Sequence, residues 1–180
     1  KNPYVSLSYE NKDLDFIHKD KSVKVTKVTT KKVAKILSSS YPIARYISKM
    51  SEFGPRALGN RSILADPRNP DIINYVNKKI KIRDFWMPFA PSILDKYLNK
   101  YIKNNNNALP YHMTYSYDAT DLAKKHIPAA LHPFDKTTRP QIVTNKLNSD
   151  YYKLIKEFYN ITGVGALLNT SFNLHGEPIV

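Results

Sequence analysis

Ser51-Glu52-Phe53-Gly54-Pro55-Arg56-Ala57-Leu58-Gly59-Asn60-Arg61-Ser62-Ile63-Leu64-Ala65-Asp66-Pro67-Arg68 combines three arginines with glycines and prolines around a short apolar run. Gly54-Pro55 and Gly59 are turn-forming, so the backbone folds tightly here and can approach a ligand closely. Arg56, Arg61 and Arg68 place planar, permanently charged forks around that turn, a geometry suited to phosphate and carboxylate oxygens. The competing reading is a solvated arginine loop that caps a strand, and composition alone leaves the two open.

Outward from this stretch, strand and helix patterns alternate. Ile43-Ala44-Arg45-Tyr46-Ile47 forms a strand that delivers the chain into the arginine loop, and Ser62-Ile63-Leu64-Ala65 forms a second. Asn69-Pro70 starts a helix through Ile80, with Ile72, Ile73, Val76 and Ile80 as its apolar set. Upstream, Thr29 or Thr30 caps a helix carrying Val33, Ile36 and Leu37 on one face. Residues 1–22 are polar apart from the alternation Tyr4-Val5-Ser6-Leu7. Downstream, Phe89 to Leu94 is extended, Tyr97 to Ile102 helical, and Asn104 to Asn107 an exposed loop tip. Tyr111 to Tyr117 alternates as a strand does, and residues 118–140 are loop-rich. Ser149 caps a helix with Tyr152, Ile155 and Phe158 inward and Gly163 just past its end. Val164 to Leu168 is a buried strand. This alternation predicts an α/β domain with a mixed sheet.

At 180 residues and 42% hydrophobic content, the chain can build one domain with a real core. It has no internal repeat and no apolar run near the ~20 residues of a membrane span, so no membrane partner is expected. Lys1-Asn2-Pro3-Tyr4 lacks the apolar stretch of a signal peptide. Cysteine is absent, which removes disulfides and thiolate metal sites and is compatible with a cytoplasmic location. The net charge of +13 implies attraction to polyanions. Much of it is lysine spread through the chain beside abundant Asn, Ile and Tyr, the usage of an AT-rich genome, so a nucleic-acid partner is not expected from charge.

Two further segments carry candidate chemistry. In Lys81-Ile82-Arg83, an extended backbone would set both cations on one face with Ile82 turned inward. Such a pair is unfavourable unless an anion sits between its members, although exposed strand edges also collect lysine and arginine. In Asn169-Thr170-Ser171-Phe172-Asn173, Ser171 and Asn173 likewise share a face, with groups able to grip phosphate or ribose. An ordinary strand-to-turn exit has the same pattern. Phe85, Trp86 and Phe89 can stack on adenine or pack a core. His112, His126, His132 and His175 are scattered without metal-ligand spacing, so no protein-built metal site is expected. No Walker-type phosphate loop is present.

The run from Glu52 to Arg68 resembles the signature of the O-carbamoyltransferase family, the enzymes that carbamoylate nodulation factors, aminoglycosides and cephalosporins. Lys81, Arg83, Ser171 and Asn173 resemble the nucleotide-site tetrad of YrdC-like domains. Thr-Ser-x-Asn followed by Gly-Glu-Pro is similar to the end of that domain in threonylcarbamoyladenylate synthases. The resemblance runs from about Tyr4 to Val180. It implies a YrdC-like twisted mixed sheet with flanking helices around a basic concave site. Residues 1–180 would be one C-terminal domain of a longer chain, lacking the metal-dependent ASKHA-type transferase domain that would be its partner.

The activity implied is enzymatic: ATP and carbamoyl phosphate make carbamoyl adenylate, with release of pyrophosphate, and the carbamoyl group then passes to a hydroxyl acceptor elsewhere. By this resemblance Arg56, Arg61, Lys81 and Arg83 are catalytic. Lys81, Arg83, Arg139, Ser171 and Asn173 bind ATP, and Arg56 and Arg61 bind carbamoyl phosphate. Arg139 enters because Asp135-Lys136-Thr137-Thr138-Arg139-Pro140-Gln141 matches the family's Asp-Gly-Thr-x-Arg-x-Gln. Magnesium arrives with the nucleotide, on phosphate oxygens. The chain departs from the pattern at Lys49-Met50, where the family has Gly-Arg, at Lys136, where it has glycine, and at His132, one position upstream of the usual histidine. Two other readings stay open: threonylcarbamoyladenylate-type synthesis for tRNA modification, and a non-catalytic RNA-binding module.

Overall fold

Residues 2–6, 19–84 and 86–180 are described by the computed structural model; Lys1, Leu7 and Phe85, named above, lie outside them. A short β1 (Tyr4–Ser6) pairs antiparallel with β3 (Met50–Glu52), so the chain's start braces the entry to the arginine loop. Between them lie α1 (Thr30–Ser38) and β2 (Ile43–Tyr46). Thr29 caps α1 as expected, its hydroxyl accepting from the amide of Lys32. The buried positions of α1 are Ala34 and Leu37, whereas Ile36 is exposed.

Past the loop come β4 (Arg61–Ala65), α2 (Asp71–Tyr75), β5 (Ala90–Leu94), α3 (Leu98–Tyr101), β6 (Tyr117–Asp118), α4 (Asp121–His126), β7 (Thr137–Thr138), β8 (Gln141–Val143), α5 (Ser149–Thr162) and β9 (Ala166–Ser171). The main sheet has five strands in the order β2-β4-β9-β5-β8. Only β5 and β8 run parallel; the other neighbours are antiparallel, which makes the sheet mixed as predicted.

Successive strand residues point to opposite faces, and the core divides accordingly. Leu64 and Leu167 join Ala34, Leu37, Leu154, Ile155 and Phe158 under α1 and α5. Their neighbours Ala65 and Leu168 join Ile72, Val76 and Phe89 on the α2 side. Helix α5 starts one residue earlier in capping than predicted: Asn148, not Ser149, accepts from the amide of Tyr151. It buries Tyr151 and Leu154 along with Ile155 and Phe158, leaving Tyr152 half-buried. Gly163 ends it in the left-handed region, as expected.

Two local expectations fail for backbone reasons. The helix predicted through Ile80 is α-helical only to Tyr75 and continues as a wider π turn, Val76–Lys81. Ile82 then takes left-handed angles (φ 50°, ψ 54°) and is exposed, so Lys81-Ile82-Arg83 is not extended and Ile82 is not turned inward. The alternation Tyr111 to Tyr117 makes no continuous strand, because Met113 sits at positive φ and breaks the pleat; only Tyr117–Asp118 pairs, with β7. Among the described residues no helix is long and apolar enough to cross a membrane.

Candidate anion-binding site

The arginine loop is held from below by side chains that occupy its backbone. Glu52 Oε1 accepts from the amides of Leu58, Asn60 and Arg61 at 2.8, 2.7 and 3.0 Å. The carbonyl of Leu58 accepts from Tyr4 Oη and from Gln141 Nε2, both at 2.8 Å. Asn169 Nδ2 donates to the Ala57 carbonyl at 3.1 Å, and Arg45 donates to the Gly59 carbonyl. Gly59 has φ +111° and lies so close to Tyr151 that any Cβ there would collide with the ring. The loop therefore needs glycine twice over, for its angle and for the helix packed against it.

Beyond these pinned carbonyls, Pro55, Arg56 and Ala57 form one wall of a cavity of about 120 Å³. Arg83, Arg139 and Ser171 form others. A second cavity of about 300 Å³ shares Pro88, Phe89, Ala90 and Arg139 with the first and extends to His132, Thr137 and Thr138. Arginines 56, 83 and 139 thus converge from three separate parts of the sequence.

Arg61 and Arg68 do not join them. Arg61 is buried at 3% exposure, donates Nη1 to the carbonyl of Ile47, and lays its guanidinium over Tyr46 at 3.8 Å from the ring centroid. That follows from register: Tyr46 pairs directly with Arg61 across β2 and β4, so the side chains lie side by side. Arg68 grips Asp66, with Nη2 to Oδ2 at 2.6 Å, and reaches the carbonyl of Ser38. Of the arginines in the signature, Arg56 alone lines the cavity.

Three members of the predicted tetrad are gathered tightly. Lys81 Nζ donates to the Ser171 carbonyl (2.5 Å), Ser171 Oγ (3.1 Å), the Asn173 carbonyl (2.9 Å) and Asn173 Oδ1 (2.6 Å). Ser171 Oγ donates to Asn173 Oδ1, and Asn173 Nδ2 to the carbonyl of Glu177. Burial first, and the neighbouring Arg83 charge second, lower the Lys81 ammonium to about 8. Arg83 differs from Lys81 in having donor capacity left over. Its Nε donates to Asn77 Oδ1 at 2.7 Å and its guanidinium lies over Phe89 at 4.5 Å. Among the described residues its buried Nη2 has no hydrogen-bond partner.

Phe89 borders both cavities, whereas Trp86 is half-exposed and borders neither. Met50, where the resemblance implied an arginine, packs against the cluster of Tyr4, Leu58 and Met113. Lys136, where it implied a glycine, has φ +58°. Among the described residues no three His, Cys, Asp or Glu side chains gather to hold a metal. Glu52, Asn77 and Asn169 were not among the sequence-predicted site residues; the only trace of Glu52 was its place inside the signature.

A mixed sheet with helices on both faces and a basic cavity beside its central strands defines a YrdC-like α/β domain. Solved structures share this fold: E. coli YciO, with a TM-score of 0.55 at 14% identity over 82% of this chain and 65% of that one. Full-length HypF in its phosphate- and nucleotide-bound form gives a TM-score of 0.55 at 14% identity, over 98% of this chain and 19% of that one. The chain itself belongs to the carbamoyltransferase family, its residues 34–180 matching the model for the carbamoyltransferase C-terminus. An uncharacterised protein of Methanocaldococcus jannaschii is 44% identical over 82% of this chain and 24% of its own length. Nodulation protein NolNO of Sinorhizobium fredii is 40% identical over 75% of this chain and 20% of its own. Nodulation protein U of Rhizobium tropici is 35% identical over 81% and 24%. The chain thus spans about a quarter of the length of these curated relatives.

Proposed function

We propose that this domain makes carbamoyl adenylate for a carbamoyltransferase, and that a separate transferase domain of the same protein passes the carbamoyl group to a hydroxyl acceptor. The observation that carries the reading is the convergence of Arg56, Arg83 and Arg139 on one cavity beside Ser171, with Arg83 keeping a buried donor that has no partner among the described residues. That donor set fits polyphosphate. ATP carries about four negative charges, and bringing carbamate against it requires cationic compensation.

The reaction proposed has two steps: water first splits carbamoyl phosphate into carbamate and phosphate, and a carbamate oxygen then bonds to the α-phosphorus of ATP as the bond to the β-phosphate breaks and pyrophosphate leaves. Arg83 and Arg139 hold the triphosphate and Arg56 the carbamoyl phosphate end, which the signature loop presents from the opposite wall. Lys81, engaged with Ser171 and Asn173, fixes the third wall and adds its charge. Magnesium enters with the triphosphate on its phosphate oxygens.

Exchange of labelled pyrophosphate into ATP tests this. Exchange that depends on carbamoyl phosphate, with no carbamoylated sugar produced by this chain alone, is the expected result. Exchange driven instead by threonine and bicarbonate would move the protein to threonylcarbamoyladenylate synthesis. Absence of exchange in the full-length protein as well would leave a site that binds without turnover.

A further inference from the structure

Arg83 can serve an anion only if its guanidinium is held with the correct edge free, and one residue outside every motif discussed so far does the holding. Asn77 lies in the π turn and is fully buried. Its Oδ1 accepts from Arg83 Nε at 2.7 Å, and its backbone carbonyl accepts from the amide of Arg83 at 3.1 Å. Phe89 covers a face of the same guanidinium. The donors left to Arg83 are those on its terminal nitrogens, of which Nη2 has no partner among the described residues.

We infer that Asn77 is a positioning residue that orients Arg83 for a phosphate-type anion in the cavity. The inference rests on the anion-site reading above and deepens it. Three features support a role beyond filling space. A guanidinium has five N–H donors in a rigid fork, and fixing Nε sets the direction of the remaining ones without using them. The acceptor is an amide, which holds the cation but leaves its charge uncancelled; an aspartate in the same place would neutralise it and weaken anion binding. The π turn also supplies the means. In a regular α-helix the residues after Asn77 would be rotated differently, and wide turns of this kind concentrate at functional positions. Here the turn ends at left-handed Ile82, which brings Arg83 back over Asn77.

The test uses inorganic pyrophosphate as the probe, titrated calorimetrically into wild type, Asn77→Ala, Arg83→Met and the double variant. The Arg83 Nε–H resonance of the proteins that keep the arginine is followed by NMR. Asn77→Ala should weaken pyrophosphate binding about tenfold and shift the Nε–H signal. It should have no further effect on affinity once Arg83 is methionine, because the two act as one unit. An additive loss in the double variant, or an unshifted signal, would overturn the positioning role and leave Asn77 as packing alone. Unchanged affinity in Arg83→Met would overturn the anion-site reading itself, which separates the two failures. If Asn77→Ala does not fold, Asn77→Asp retains shape and acceptor. It should keep the Nε–H bond yet bind pyrophosphate more weakly, and wild-type affinity in that variant would sink the inference.

Discussion

Glu52 and Asn60 are tied by a hydrogen bond of 2.7 Å from the amide of Asn60 to Oε1 of Glu52, and the same oxygen also receives the amides of Leu58 and Arg61. One carboxylate thus closes the signature loop on itself. Its location on β3, opposite Tyr4 of β1, links the closure to the chain's start. The loop then has little freedom between Ala57 and Arg61, and Arg56 is carried on a fixed base.

Removing that carboxylate should open the loop. Hydrogen bonds to a charged group contribute about 1.5–3 kcal/mol each, but bonds sharing an acceptor are not additive. Glu52→Ala is expected to lower the urea unfolding free energy by about 2–4 kcal/mol. Glu52→Gln, which keeps an acceptor oxygen, should lose less. Equal stability of wild type and Glu52→Ala would show that Gln141, Tyr4, Asn169 and Arg45 hold the loop without it.

Lys81 gives the site a pH dependence. Its folded value of about 8 lies below the ordinary lysine value of 10.5. Between those values the unfolded chain holds a proton that the folded chain has lost, so this residue's contribution to stability rises with pH there. Below pH 8 both forms are protonated and the cost of burying the charge is felt in full. A bound phosphate anion favours the ammonium, so binding above pH 8 should take up a proton, and affinity should fall as pH rises through that value. Calorimetry of pyrophosphate binding at pH 8.5 in buffers of different ionisation heat, on wild type and Lys81→Met side by side, separates uptake at Lys81 from the titration of pyrophosphate itself. The same buffer dependence in both proteins would mean that Lys81 does not change protonation on binding.

Lys136 occupies the left-handed region at φ +58° and is exposed. A residue with a Cβ pays roughly 1 kcal/mol there that glycine does not. Lys136→Gly should therefore raise the unfolding midpoint by a few degrees, about 2–4 °C for a domain of this size. The Lys136 side chain gives something back through Nζ to the Pro133 carbonyl at 2.5 Å, an exposed contact of small value. A lower midpoint would mean that this contact outweighs the backbone strain.

Much of this is legible in the sequence, and the parts that are not depend on partners and backbone angles that local patterns do not encode. Strands on either side of the signature loop follow from apolar runs, and the turn follows from Gly54 and Gly59, because those signals are local. The destinations of Arg61 and Arg68 depend on partners. Tyr46 meets Arg61 only through strand register, and Asp66 stands beside Arg68 with nothing in the order of residues to say which oxygen the guanidinium prefers. Asn77 was hidden for a different reason. On a regular helix it flanks the apolar stripe, four residues after Ile73 and three before Ile80, and no local pattern marks the wider turn that sets it under Arg83. The Tyr111–Tyr117 pattern misled because alternation carries no mark of the positive φ at Met113.

Arg56 and Arg61, paired in the motif, should respond oppositely to the same conservative change. Arg56 is exposed at the cavity wall, so Arg56→Lys should leave the unfolding free energy within about 0.5 kcal/mol of wild type. Losing the bidentate fork should still impair carbamoyl phosphate use, by roughly ten- to a hundredfold if one charge-assisted contact is lost. Arg61 is buried against Tyr46 and Ile47. Lysine there lacks the planar face that stacks on the ring and fits the Ile47 carbonyl poorly, so Arg61→Lys should cost about 1–3 kcal/mol of stability. At a temperature where both variants are folded, Arg61→Lys should keep near-normal affinity for ATP and carbamoyl phosphate. Melting curves and calorimetric titrations on the same preparations decide it. A weakened ligand affinity in Arg61→Lys with unchanged melting would return Arg61 to the binding site and require the loop to open when it binds.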